Sequence, residues 1–416
     1  MSQSKRNWRT SEHYVSFYNY LSEVRESLKG LPKKIAIHDV TLRDGEQQPK
    51  VTFRKDEKIR IAQALDEAGV NRIEAGLPSV SPDDKEAIKE IAHLGLQSKV
   101  YAFSRCMKTD VEAALSVDVD GIVMEIPSSS HLIRDGYGWK PEDAVNRSIE
   151  ATSYAHAHGL KVTFFTIDST RASMDDIRRL VGRVAKEGHM DALALADTFG
   201  VMNPQATAYF VKKMKALLHK PVEIHAHNDF GLGVANSIAA IMAGADVAHV
   251  TVNGIGERTG NTPLEELVMS LRFLYGVKCD IKLEKLRRLS KLVRSLSGVE
   301  VPPQKAIVGD DIFTVESGIV TGWWKRLEML HKPLEMYPFV PELVGHDGVK
   351  IILGKKSGRD SVLYIAEKHG LQLSDASVDD VLWRVKEKAI AKKRPLSEEE
   401  FLELARQSQR HAQHTT

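Results

Sequence analysis

Residues 192–229 read ALALADTFGVMNPQATAYFVKKMKALLHKPVEIHAHND. The stretch opens on an apolar run, Ala192–Ala196, and closes on a second, Val222–Ala226. Between them Asn203-Pro204 signals a helix start, since asparagine caps free N–H groups and proline suits the first turn. Apolar residues at helical spacing carry that helix to Leu218. Strand, helix and strand in so short a span make one β/α unit. Runs apolar on both faces are what parallel strands covered by helices require.

The same rhythm extends outward in both directions. Runs of the same kind occur at Ile35–Val40, Asn71–Ala75, Lys99–Phe103, Gly121–Ile126, Lys161–Thr166 and Val247–Val252. Helical patterns lie between them at Lys55–Ala68, Ser81–Leu94, Pro141–His158, Met174–Glu187 and Gly233–Ala243. Gly69, Gly159, Gly188 and Gly244 each stand at the C′ position of a helix, before the next strand. Eight units over about 220 residues predict an α/β fold, a (β/α)₈ TIM barrel. An open doubly wound sheet is the second choice, weakened because no GxGxxG follows the first run.

The expected organisation has three parts. Residues 1–32 read as an N-terminal helical extension that ends at Gly30-Leu31-Pro32. Residues 33–282 form the barrel. Residues 283–416 form a smaller, mainly helical C-terminal region, in which Ser397-Glu398-Glu399-Glu400 makes a capping box.

Composition removes several classes of function. Of 416 residues 42% are hydrophobic, and 58 Lys+Arg stand against 56 Asp+Glu. So even a balance gives no electrostatic case for nucleic acid or an anionic membrane. No apolar run reaches the length of a membrane span, and the first residues lack the apolar core of a signal peptide. Cys106 and Cys279 are too few for a disulfide framework or a sulfur metal site. The expectation is a reduced, cytoplasmic protein.

In a barrel of this kind the active face lies at the C-terminal ends of the strands. After the first run comes Asp39-Val40-Thr41-Leu42-Arg43-Asp44-Gly45-Glu46-Gln47, a cation among carboxylates. The seventh leads into His225-Ala226-His227, and alternation puts both imidazoles on one face. After the eighth comes Asn253-Gly254-Ile255-Gly256-Glu257-Arg258-Thr259-Gly260-Asn261, whose glycines allow close backbone approach. First, seventh and eighth strands are neighbours in a closed barrel. One carboxylate and two imidazoles can therefore converge on a divalent cation that chelates a 2-oxo acid. Mg²⁺, Mn²⁺, Zn²⁺ and Co²⁺ all remain open as that cation.

Thr41–Gln47 (TLRDGEQ), Ala196–Gly200 (ADTFG), His225–Gly231 (HAHNDFG), Gly254–Asn261 (GIGERTGN) and Leu353–Gly358 (LGKKSG) together resemble a known group of metalloenzymes. That group contains 2-isopropylmalate, homocitrate and citramalate synthases and 3-hydroxy-3-methylglutaryl-CoA lyase. The resemblance implies Asp44, His225 and His227 as metal ligands, with Asn261 a fourth. It implies Arg43 as the group that stabilises the enolate or the carbonyl oxygen, and Thr198 as a partner of the 2-oxo acid carboxylate. Gln47 and Glu46 are implied at the same mouth, and His131, within Pro127–Leu132, near the substrate. Acetyl-CoA as co-substrate and a homodimeric state follow from the same likeness.

The departures bear on proton transfer. Where the condensing enzymes carry a histidine in an SGIH pattern, this chain has Val320, and Val315 replaces another. Ile167 stands where the synthases usually have an acidic residue. A base must come from elsewhere, with Glu316, Glu46 and His131 as candidates. The cysteine that the lyases use after the eighth strand is absent from GERTGNTPLEE. The expected activity is an acyltransferase condensing acetyl-CoA with a 2-oxo acid to a 2-substituted malate. A metal-dependent carbon–carbon lyase or aldolase is the alternative, and a non-catalytic paralogue a third reading.

Overall fold

Strands β1 (Ala36–Asp39), β2 (Arg72–Glu74), β3 (Lys99–Arg105), β4 (Gly121–Pro127), β5 (Lys161–Ile167), β6 (Ala192–Asp197), β7 (Val222–Ala226) and β8 (Val247–Val250) follow one another around a closed barrel. A computed structural model describes residues 8–414 of the chain. Every neighbouring pair is parallel, and β1 closes on β8 through Ala36 opposite Val247 and Asp39 opposite Val250. The expected TIM barrel is the architecture found.

Local chemistry sets the helices between the strands. Asn203 accepts the backbone N–H of Ala206, with Pro204 in the first turn of helix Pro204–Leu218. Ser81 and Ser173 cap their helices in the same way. Gly69 ends Lys55–Ala68 at φ 90°, and its α-hydrogen faces the Asp280 carbonyl so closely that a side chain would collide. On β4 the residues Ile122, Met124 and Ile126 are buried on the side away from the barrel axis, while Val123 packs inside.

The inside of the barrel is divided. Tyr101, Phe103, Val123, Phe165, Ala194 and Ala196 form an apolar wall on β3 to β6. Opposite it, β1, β2, β7 and β8 supply His38, Arg72, Glu74, Glu223, His225 and His249, all on inward positions. Barrel interiors are more often filled by branched apolar layers. Charged groups here survive burial because they are paired with one another.

The chain forms two compact units, Phe17–Val301 and a second built from residues 8–16 with 302–414. The sequence boundary at 282 thus moves to 301, because helix Leu286–Ser297 buries Leu286, Leu289 and Val293 and packs on Lys55–Ala68. The N-terminal segment also divides. Helix Ser22–Ser27 belongs to the barrel unit, whereas His13 pairs antiparallel with Phe339 in the second. Within that second unit, short parallel strands β9 (Thr314–Val315) and β10 (Lys350–Ile351) join four helices around Trp324, Val362, Val381, Val385 and Phe401. Ser397 and Glu400 exchange hydrogen bonds at 3.2 and 2.9 Å, forming the expected capping box.

Candidate active site

Directly after β1 the chain makes one tight helical turn, Thr41–Gly45, with all five residues buried. It drives Arg43 and Asp44 into the barrel mouth instead of out to solvent. Asp44 Oδ2 lies 3.4 Å from His225 Nε2 and 3.9 Å from His227 Nε2. The two Nε2 atoms are 3.4 Å apart. Three donor atoms within 4.8 Å of one another can hold one metal ion.

The electrostatics of these residues suit a cation. Burial drives His227 down to about 4 and lowers His225 as well, so both rings present lone pairs. Burial opposes charge on Asp44, but the Arg43 guanidinium and His225 outweigh it and hold the carboxyl well below its usual range. A neutral imidazole pair and an ionised carboxylate are the protonation states that ligation requires. Asn261 Nδ2 donates to Asp44 Oδ1 at 2.9 Å and to the Ile255 carbonyl at 3.2 Å. Asn261 is therefore brought to the centre through Asp44, while its own Oδ1 is buried without a partner. Gly256 makes room for this contact at φ 148°, where a Cβ would sit 2.2 Å from Asn261 Nδ2.

Arg43 connects the centre to its surroundings. Its NH1 donates to Asp44 Oδ2 at 2.6 Å and to Gln47 Oε1 at 3.2 Å, and its Nε donates to Glu74. The guanidinium carbon lies 4.1 Å from the centre of the Phe103 ring. Its NH2 is buried and has no protein partner. A cavity of about 430 Å³ opens here, lined by Arg43, Glu46, Gln47, Leu77 and Phe103 among others.

The remaining expected residues fall in different places. Glu46 lines this cavity, but its carboxylate accepts the Phe53 N–H at 2.7 Å and pairs with buried Lys58 at 2.6 Å. Thr198 Oγ1 accepts the Asp168 N–H at 2.8 Å in the loop after β6. His131 is about half exposed, with Nε2 3.1 Å from Asp168 Oδ2. Glu316 belongs to the other compact unit, where it pairs with Lys356 at 3.0 Å and accepts that residue's N–H.

Sequence reasoning missed the charged half of the barrel. Glu74 takes both Arg43 Nε and His38 Nε2, the latter at 3.0 Å. His38 stacks on His249 with ring centres 4.4 Å apart, and His249 Nε2 meets Glu223 Oε2 at 2.8 Å. Arg72 completes the series on Glu223. His38, Glu223 and His249 are also close enough to consider as a metal group. However, the two rings lie within 17° of parallel, so their lone pairs run side by side, and Arg72 already holds the carboxylate. Alternation on β2 and β7 would have revealed Arg72, Glu74 and Glu223 as inward-facing.

Comparison with known proteins bears on the family and the fold. The HMGL-like family model matches residues 34–293, and the model "Homocitrate synthase post-HMGL domain-like" matches residues 307–393. Homocitrate synthase AksA of Methanopyrus kandleri is 41% identical over 365 residues, covering 87% of this chain and 90% of that protein. (R)-citramalate synthase CimA of Methanocaldococcus jannaschii is 40% identical over 354 residues, covering 85% of this chain and 70% of its own. Among solved structures, hydroxymethylglutaryl-CoA lyase from Pseudomonas aeruginosa superimposes with a TM-score of 0.58 at 22% identity, over 65% of this chain and 96% of that one. That likeness is one of fold. By the match over its barrel and by relatives that share most of its length, the chain belongs to the HMGL-like family.

Proposed function

We propose that the chain is an acyltransferase that condenses acetyl-CoA with a 2-oxo acid and releases the product as a 2-substituted malate after thioester hydrolysis. The observation that carries this reading is the convergence of Asp44, His225 and His227 beside an arginine with one unpartnered N–H₂. Relatives named homocitrate and citramalate synthases support it. In this reading Asp44, His225 and His227 hold Mg²⁺, Mn²⁺, Zn²⁺ or Co²⁺, and Asn261 orients Asp44. The bound cation supplies Lewis acidity to the chelated 2-oxo acid.

The protein's own groups do the rest. Arg43 NH2 donates to the oxygen on which charge develops as the carbon–carbon bond forms. Gln47 steadies Arg43 through their 3.2 Å hydrogen bond. The Thr198 hydroxyl binds the acid's carboxylate, and His131 reaches the mouth from the loop after β4. Glu46 and Glu316, both already engaged in ion pairs, shape their surroundings rather than carry a proton. The enzyme works as a homodimer in the cytoplasm.

The test is thiol release from acetyl-CoA with Mg²⁺ or Mn²⁺ against glyoxylate, pyruvate, 2-oxoisovalerate, oxaloacetate and 2-oxoglutarate. Metal-dependent release with one of these acids is the expected result. Silence with all of them, in protein shown to bind metal, refutes the condensing reading and favours carbon–carbon cleavage.

A further inference from the structure

Condensation needs a base for the methyl group of the acyl donor, and Val320 leaves that role without a histidine. The barrel interior offers another group. Three carboxylates occupy inward strand positions: Glu74, Glu125 and Glu223. Glu74 is held by Arg43 and His38, and Glu223 by Arg72 and His249. Glu125 differs, because among the described residues its carboxylate makes no hydrogen bond and no ion pair.

Its position is at the mouth. Glu125 lies near the C-terminal end of β4, two residues beyond Val123 on the same inward face. In register it stands between Arg105 on β3 and Phe165 on β5. Phe165 makes an edge contact with the His225 ring at 5.1 Å and lies 5.8 Å from the Arg43 guanidinium carbon. Phe165 thus adjoins the His225 ring and the Arg43 guanidinium and is the register partner of Glu125 on the next strand.

The charges around Glu125 keep it available. Arg43 is shared between Glu74 and Asp44, and Arg105 is clamped by Asp110 at 2.7 Å. Arg43 and Arg105 attract a charge on Glu125, Asp110 and Glu74 repel it, and the exposed Tyr137 and the buried Cys106 lie within its electrostatic reach. Burial is the largest influence and pushes the carboxyl up to about 7, so near neutrality it can both accept and return a proton.

We infer that Glu125 is the catalytic base for the acyl donor, a deduction that rests on the condensing function proposed above. Its carboxylate takes one proton from the thioester methyl, and the C–H electron pair becomes an enolate. The enolate carbon bonds to the keto carbon, whose C=O π pair moves onto the oxygen facing Arg43. The alkoxide then collects a proton, and water cleaves the thioester C–S bond to free the thiol.

The experiment compares wild type, Glu125→Gln and Glu125→Asp in thiol release with the 2-oxo acid that the wild type accepts. Glu125→Gln keeps the size of the side chain, and an unchanged metal-dependent melting shift verifies its fold. The expected result is a kcat lower by about 10²–10⁴ with KM for the acid little changed. The acidic limb of kcat, centred near neutrality in the wild type, disappears from the residual activity. Glu125→Asp shortens the arm, so proton removal becomes slow and the isotope effect with trideuteroacetyl-CoA rises. A Glu125→Gln kcat within tenfold of wild type overturns the assignment. A raised KM with unchanged kcat does so too, since it makes Glu125 a contact to the acid. If the wild type releases no thiol with any acid, the condensing function fails and this role fails with it.

Discussion

His227→Ala isolates the metal centre better than any change at Asp44. Asp44→Asn would also strip Arg43 of a partner at 2.6 Å, and breaking a buried pair costs roughly 3–5 kcal/mol by itself. Removing the His227 imidazole leaves that pair in place and deletes one of three donors. A ligand that binds only the native state stabilises it by about 2.7 kcal/mol at a hundred times its Kd. With about 2.1 cal/mol/K of unfolding entropy per residue, the unit Phe17–Val301 has roughly 0.6 kcal/mol/K in total. Saturating metal should therefore raise the wild-type melting temperature by about 4–5 °C. Loss of a direct donor should weaken binding at least about 100-fold, since even supporting residues cost 10–100-fold. At the same metal concentration the variant keeps only about 0.4 kcal/mol, a shift under roughly 1 °C. Chelator-treated proteins melted across a Mn²⁺ or Mg²⁺ titration give both numbers. Equal shifts in the two proteins, or none in the wild type, would refute the centre.

Further expectations concern the barrel interior. Because Glu125 is pushed from 4.5 to about 7 by burial, native stability should fall by up to about 3 kcal/mol as pH rises through that window. The unfolded chain ionises there first, so Glu125→Gln should be the more stable protein at pH 8 and equal to wild type at pH 4, read by urea titration of metal-free samples. Glu74→Gln leaves the Arg43 charge buried with a single carboxylate partner and should cost roughly 3–5 kcal/mol in the same assay. An unchanged midpoint would mean that Arg43 finds another anion. Gly256→Ala forces a Cβ to within 2.2 Å of Asn261 Nδ2 and 3.1 Å of Asp44 Oδ1. That variant should stay folded, by circular dichroism, yet lose most of its metal-dependent melting shift.

The sequence showed what is local or periodic. Eight apolar runs with capped helices between them announced the barrel, and Arg43-Asp44 and His225-x-His227 stood out as chemistry at strand ends. The Glu74–His38–His249–Glu223–Arg72 series did not stand out, since its members come from four strands far apart in the chain and meet only when the barrel closes. Glu125 was hidden in the same way within Met124-Glu125-Ile126-Pro127. The boundary at 301 is not legible in the sequence because the amphipathic helix Leu286–Ser297 resembles the helices after it, and only its packing on Lys55–Ala68 assigns it to the barrel. Asn261 donates to Asp44, and whether an amide faces a carboxylate or a cation depends on its rotamer, which sequence does not carry.

The join between residues 12–14 and 338–340 also imposes an order of events during synthesis. Tyr14 N–H donates to the Pro338 carbonyl at 2.8 Å, and Val340 N–H donates to the Glu12 carbonyl at 2.9 Å. Ribosomes add roughly 5–20 residues per second, so Glu12 emerges tens of seconds before its partner exists. The barrel can close in that interval, but the second unit cannot be completed until both distant segments are out of the tunnel. For that time the first emerged segment carries unpaired backbone groups, an edge open to pairing with a neighbouring chain. Slow translation past residue 301 should therefore favour strand exchange between nascent copies over aggregation of the barrel.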